Sequence, residues 1–474
     1  MELAMGGVFG TVSRNDCVRD LFYGVDYHFH LGTKRGGMAV WDGRQFVRTI
    51  HSIESDYFRS KFEPDLAKFN GRLGIGVISD NDSQPLVVGS HLGTFAIVTV
   101  ARIVNMAELT AQAYRRRQQF SESTGGGVNP TELVASLICQ AGSFEDGIRL
   151  AQEQIQGSCT LLLLTGEGLY AARDRRGRTP LVVGRREDGF AVASESCAFP
   201  NLGYRYEADL GPGEILFVTP DGLEQRRPAL EKMQICSFLW VYYGYPATSY
   251  EGINVEAVRY RCGCALAERD DLTPDYVAGI PDSGIGHALG YAHCKQIPYK
   301  RPYVKYTPTW PRSFMPQSQK MRDLVANMKL IPLQNLIAGQ RILFCDDSIV
   351  RGTQLKDNVE DLFAAGAAEV HMRIACPTLI YPCDFLNFST SRSTLDLAGR
   401  RAITALEGGR APEAEILRDY ACAGTPRQKA MIDAIRRRLH LTTLTYQAMD
   451  DLVAAIGLPK EKLCTHCWDG SSYF

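Results

Sequence analysis

Long apolar runs are missing from this chain of 474 residues. No stretch reaches the roughly 18 residues of a membrane-spanning helix. The opening MELAMGGVFG has neither the basic start nor the cleavage site of a secretory signal, so the cytoplasm is the expected compartment. An excess of either charge is missing too. Lys and Arg number 52 against 53 Asp and Glu, a formal net charge of −1, which offers nucleic acid and anionic membranes little to hold. There is no internal repeat, and the one compositional oddity is a short glycine run in STGGGVNP, read as a loop. What remains is a chain of two or three ordinary domains acting on a small ligand.

Cysteine, by contrast, is plentiful at 14 residues. Most sit singly in apolar stretches such as SLICQ and RIACP, as buried thiols do, so reduced thiols are expected. The exception is the C-x-x-C of Cys464 and Cys467, a spacing that inside cells points to metal, cluster or redox chemistry.

The chain changes rhythm near its middle. Up to about residue 230, short β-type runs (LGIGVIS, FAIVTV, CTLLLLT, FAVAS, EILFVTP) alternate with two helical stretches, NMAELTAQAYRRRQQF and NPTELVASLICQAGSFEDGIRLAQEQI. That pattern predicts a mixed α and β domain over residues 1–232 with much antiparallel pairing. From there, VEAVRYRCGCALAERD, DYVAGIP, GHALGYAHCKQ, PYVKY, RILFCDD, TQLKDNVEDLFAAGA and EVHMRIACP alternate helix and strand, predicting a parallel sheet with crossover helices in residues 233–474. A charged, Ala-rich helical region over roughly 393–458 follows, and its part near 400–440 has no assigned role.

The chemistry lies in FCDDSIVRGTQ. An apolar strand runs into Asp346 and Asp347, turns through Ser348, Ile349, Val350, Arg351 and Gly352, and enters a helix near Thr353. Ligands of open parallel sheets bind at this edge. Backbone N–H groups of the turn, the Ser348 and Thr353 hydroxyls and the positive end of the helix suit a phosphate monoester. Two carboxylates would repel that phosphate, but they suit vicinal hydroxyls or a shared divalent cation. The stretch therefore describes a ribose 5-phosphate site. A second loop after a strand, Pro281, Asp282, Ser283 and Gly284, suits another phosphate group.

These two loops, with AAEVHMRIACP, YPCDF and LCTHCWDG, closely resemble the amidophosphoribosyltransferase family, whose transferase half is a type I phosphoribosyltransferase. The resemblance implies an α/β and α+β architecture: a glutaminase-like αββα domain of the N-terminal nucleophile type, then a parallel-sheet phosphoribosyltransferase domain. It implies phosphoribosyl pyrophosphate (PRPP) and Mg²⁺ as ligands. Asp346 and Asp347 would take the ribose hydroxyls and the metal, Ser348–Thr353 the 5-phosphate, and Asp282, Ser283 and Gly284 the pyrophosphate, with Ser283 also near Mg²⁺. Lys305, Arg312 and Lys329 would belong to the lid. Cys236, Cys383, Cys464 and Cys467 match four cysteines that hold a [4Fe–4S] cluster in one branch of the family, with Zn²⁺ the alternative occupant. Family members are homo-oligomers, which makes one expected here.

The resemblance fails where the family keeps its glutaminase. Gly6 stands at the position of the cysteine nucleophile, Leu31 at that of an Arg, Ser79 and Asp80 at the carboxylate clamp, and Thr99, Val100 and Ala101 at the oxyanion hole. Leu239, Tyr245 and Ala247 also replace charged residues of the family's FEYVYFARPDS segment. The expected function is phosphoribosyl transfer from PRPP to ammonia or another amine without a working glutaminase, the ammonia being free or supplied by a partner. The rivals are a non-catalytic PRPP or nucleotide sensor that regulates a family enzyme, and a transferase with a different acceptor.

Overall fold

The computed structural model describes residues 6–80, 82–121, 123–124, 126–306, 330–386 and 393–471. Gly6–Ser13 (β1) is buried at all eight positions and pairs antiparallel with Leu73–Ser79 (β2) on one side and Gly189–Ala193 on the other. A strand covered on both faces must be apolar or small throughout, and GGVFGTVS is. It belongs to a seven-stranded antiparallel sheet that faces a six-stranded one containing Gly93–Ile103 (β3). Val8, Val12, Ile75, Val98, Leu162 and Leu164 fill the space between the sheets.

Helices cover both outer faces. Val18–Asp26 lies so close to the first sheet that a Cβ on Gly24 would sit 2.4 Å from the Phe9 ring. Pro130–Ile138 and Phe144–Gln154 cover the second. The sequence reads as one helical stretch there. The chain breaks it because Ser143 takes an extended backbone and caps Asp146 N–H, starting a new helix. The layers are αββα, as the resemblance implies.

Val255–Glu268 (α1), Tyr276–Gly279 (β4), Ile285–Lys295 (α2), Arg341–Asp346 (β5), Thr353–Ala364 (α3), Glu369–Ile374 (β6) and Thr443–Tyr446 (β7) form the second half. The four strands pair in the order β4, β5, β6, β7, all parallel. Two elements depart from the sequence reading. Tyr303–Lys305, expected in the parallel sheet, pairs antiparallel with Leu330–Pro332 as a separate ribbon. The edge strand β7 lies inside the region read as wholly helical, its four residues TLTY being too short to show a period among the surrounding helices.

The expectation of reduced thiols also needs correction. Cys264 on α1 and Cys294 on α2 form a disulfide, because the helix crossing brings their Cα atoms to 5.3 Å. The other twelve cysteines are not disulfide-bonded.

Candidate active site

Parallel pairing puts the carboxyl ends of β4, β5 and β6 on one edge, and the two acids leave that edge together. The Asp347 N–H donates to Asp346 Oδ1 at 2.9 Å, Ser283 Oγ approaches the same oxygen at 3.4 Å, and Ser348 Oγ donates to Asp347 Oδ1 at 2.5 Å. Ser283, Asp346, Asp347 and the whole turn Ser348–Thr353 line a cavity of about 440 Å³, with Tyr242 and Asn358 on its walls. Gly352 has φ 75°, a left-handed conformation that lets the turn close directly onto the first residue of α3. The loop Asp282–Gly284 packs against β5 so tightly that a Cβ on Gly284 would meet Cys345 O at 2.2 Å. Its Pro281–Asp282 peptide is cis. Lys305 forms an ion pair with Asp282, fastening the ribbon strand Tyr303–Lys305 to this loop. Arg312 and Lys329 lie outside the described residues.

Burial, and then the charge of Asp347, push the Asp346 carboxyl well above the usual carboxylate range. Asp347 is raised by burial too, against hydrogen bonds from Ser283 and Ser348 and the attraction of Arg259. Two buried like charges hold a proton between them until a cation replaces it. Asp346, Asp347 and Ser283 thus supply oxygen donors of the kind Mg²⁺ takes. Among the described residues, no group of three or more His, Cys, Asp or Glu side chains stands ready to hold a metal ion.

Arg259 escaped the sequence reading. It sits in the apolar face of α1 between Val258 and Cys262, and an Arg buried in such a face was the signal available. Its guanidinium donates to the carbonyls of Trp240, Tyr242 and Gly244 at 3.1, 2.9 and 2.8 Å. It therefore fixes the segment that places Tyr242 beside the cavity, and it faces Asp347.

The four cysteines come together from three distant segments. Ile235–Cys236 and Leu463–Cys464 are paired parallel strands with Cys236 opposite Cys464. Cys467 follows in the short helix His466–Asp469, whose carbonyl at Cys467 accepts from Ile380 N–H and Tyr381 N–H near Cys383. Cys467 and Cys383 hydrogen-bond to each other, and that contact with burial pushes the Cys467 thiol far up. Cys236 is raised by burial and by its neighbours Cys464 and Cys383, and Cys464 is raised by burial to about 11. Donors already point at the sulfurs: Leu386 N–H at Cys383 Sγ, 3.3 Å away, and the Arg178 guanidinium at Cys464. Four crowded thiols with N–H groups aimed at them are the donor type a metal cluster takes as thiolates, although as placed they too form no group that could hold an ion.

A family model described as "Glutamine amidotransferase domain" matches residues 70–201. The amidophosphoribosyltransferase of Bacillus subtilis (strain 168) is 32% identical over 397 residues, covering 81% of this chain and 82% of that protein. That of Methanocaldococcus jannaschii is 29% identical over 494 residues, covering 98% and 97%. This chain belongs to the amidophosphoribosyltransferase family. A solved B. subtilis glutamine PRPP amidotransferase, complexed with ADP and GMP, superimposes with a TM-score of 0.84 at 28% identity over 98% of this chain and 96% of that one. The two-domain fold is therefore that of the family, which comprises pentosyltransferases of purine biosynthesis.

Gly6, which the sequence resemblance sets at the nucleophile position of the amidophosphoribosyltransferase family, opens β1. Here the space beside Gly6 is a cavity of only about 30 Å³. It is closed by the chain's own side chains. The Gln84 carboxamide donates to Thr99 O at 3.0 Å and accepts from Thr99 N–H at 2.6 Å. It also donates to Asp82 at 3.0 Å, and Asp82 accepts from Thr131 Oγ1 at 2.5 Å. Asp80, buried and pushed up to about 6 by that burial, accepts from the Thr33 N–H and hydroxyl and ties down the HLGT segment. An internal amide and the Asp82 carboxylate thus take up polar groups of this cavity, while Asp80 holds the neighbouring segment.

The two domains meet at Glu195, which is fully buried. It accepts from Tyr250 Oη at 2.6 Å, Thr248 Oγ1 at 3.2 Å and Tyr245 N–H at 3.2 Å, all in the transferase half, while His30 Nε2 lies 3.0 Å away in its own. Burial alone would raise this carboxyl; His30, His28 and Tyr250 overcome it and hold it down at about 2. Burial keeps two histidines neutral, His28 at about 4 and His287 at about 3. As pH falls from about 6.5 to about 4 the unfolded chain binds protons at both sites and the folded chain does not, so stability is lost on acidification. The expected slope is about 1.4 kcal/mol per pH unit for each histidine. Asp80, Asp346 and Asp347, raised by burial, act in the opposite direction. The histidine contribution is therefore read from the difference in urea stability between the chain and its His28→Gln variant at pH 7, 6 and 5, which should shrink on acidification; a constant difference would refute it.

Proposed function

We propose that the chain binds PRPP with Mg²⁺ and transfers its phosphoribosyl group to ammonia or another small amine, with no glutaminase activity of its own. The observation that carries this reading is the meeting of Asp346, Asp347 and Ser283 with the Ser348–Thr353 turn around one cavity, in a chain of this family. The turn and the start of α3 would hold the 5-phosphate, the two acids the ribose hydroxyls and Mg²⁺, and Asp282–Gly284 the pyrophosphate. Mg²⁺, when bound, would neutralise the departing pyrophosphate. An arriving pyrophosphate also competes with Asp282 for Lys305, so ligand binding and lid position are linked. The division at 232/233 is proposed on the same grounds, as is a [4Fe–4S] cluster on Cys236, Cys383, Cys464 and Cys467.

Loss of the glutaminase is supported by Gly6, which offers no thiol, and by the Gln84 plug. A Cβ on Gly6 would lie 2.7 Å from Ile78 O, so the strand has closed up as well. Purified, metal-loaded protein given Mg²⁺ and PRPP is expected to release pyrophosphate with ammonium salts as donor. With glutamine it should release neither pyrophosphate nor glutamate, and Gly6→Cys alone should not restore glutamate release. Binding of PRPP without turnover with any amine would favour the sensor reading instead.

A further inference from the structure

The Cys264–Cys294 bond joins the two helices nearest the reacting edge. α2 starts at Ile285, one residue beyond the Asp282–Gly284 loop, and α1 carries Arg259. The helices cross with backbones nearly in contact. A Cβ on Gly263 would lie 1.9 Å from His287 O, and one on Gly290 2.0 Å from Tyr260 O. These glycines set the crossing, so the sulfurs stay neighbours whether or not they are bonded. Cys294 is exposed and Cys264 half-buried, whereas Cys262, two residues earlier on α1, is buried in the core and out of reach. A pair held together by other contacts, with one member open to solvent, has the layout of a thiol–disulfide exchange site.

We propose that Cys264 and Cys294 are a reversible modification site, closed by a low-molecular-weight disulfide and opened by a thiol, which staples the helix of the proposed pyrophosphate loop to its neighbour. The exposed Cys294 thiolate attacks one sulfur of the small disulfide and expels one thiolate, giving a mixed disulfide. Cys264, as thiolate, then attacks Cys294 Sγ and expels the second. The two protein thiols lose two electrons and two protons; the small disulfide gains them and leaves as two thiols. The staple spans 30 residues of sequence, a loop whose closure restricts the unfolded chain.

The test uses the full-length, metal-loaded protein, kept anaerobic so that oxygen does not confuse the result. Treatment with glutathione disulfide, alkylation of remaining thiols and peptide mapping should yield a Cys264–Cys294 cross-linked peptide. The same sample treated with dithiothreitol under native conditions should give both peptides alkylated. Cross-linking should raise the thermal midpoint by on the order of 5 °C and slow amide hydrogen exchange over residues 283–295. Cys294→Ser should show neither response, and Cys264→Ser should stop at the Cys294 mixed disulfide. Full alkylation of both residues after glutathione disulfide would overturn the proposal. So would a bond that resists dithiothreitol in the folded protein, since that would be a permanent cross-link. Neither result bears on PRPP binding, which the pyrophosphate assay reads separately.

Discussion

Asp346→Asn and Asp347→Asn should each lower kcat/KM for PRPP by about 100- to 1000-fold, the scale seen when one preorganised electrostatic group is removed from a transition state. The same substitutions should leave the ligand-free protein as stable as before or slightly more so. Burial and mutual repulsion already drive this pair toward the protonated form, and Asn imitates a protonated carboxyl in shape and in its neutral charge. A variant that loses turnover while its thermal midpoint holds or rises separates a binding role from a structural one. Unchanged pyrophosphate release in both variants would end the assignment of this edge as the reacting site. Arg259 complicates the pair unevenly: it faces Asp347, so Asp347→Asn leaves a buried cation with less compensation, and of the two it should be the less stable.

Equally large effects are expected at the four-cysteine site. Replacing Cys236, Cys383 or Cys467 by Ser should remove the bound metal altogether and cost about 3–5 kcal/mol of stability, because metal binding energy of this kind is folding energy. Thermal midpoints should fall by roughly 10 °C, whereas Cys422→Ser, at an exposed position, should change neither metal content nor midpoint. Iron and acid-labile sulfide in equal amounts would support the cluster, and zinc without sulfide would replace it with the alternative ion. Protein isolated anaerobically with no metal, and indifferent to all three substitutions, would leave the four thiols as packing alone.

Most of the architecture could be read from the sequence because the chain's local rules agree with its global fold. The run RILFCDD is apolar up to its two acids, and only a buried central strand ending at a functional edge asks for that. The short strand Thr443–Tyr446 was hidden for the opposite reason. Four residues carry no period, and its place is set by pairing with Glu369–Ile374, some 70 positions away. Long-range geometry hid the disulfide as well: nothing in CGC or AHCK says that two helices cross at Gly263 and Gly290. Arg259 was missed because its partners are backbone carbonyls, which no sequence motif records. In the first domain the sequence lists the residues around Gly6 but not their pairing; the place of the Gln84 carboxamide is visible only when Thr99 is seen opposite it.

Glu195 ties the first domain to the second independently of any chemistry the first performs. Its charge is shared across the seam between the domains, with Tyr245, Thr248 and Tyr250 as its wardens on the far side. Cutting the chain at that seam would leave Glu195 with only its histidine neighbours on one fragment and three stranded donors on the other. Removing the first domain would therefore strip buried polar partners from the second, which makes it a keystone for its neighbour.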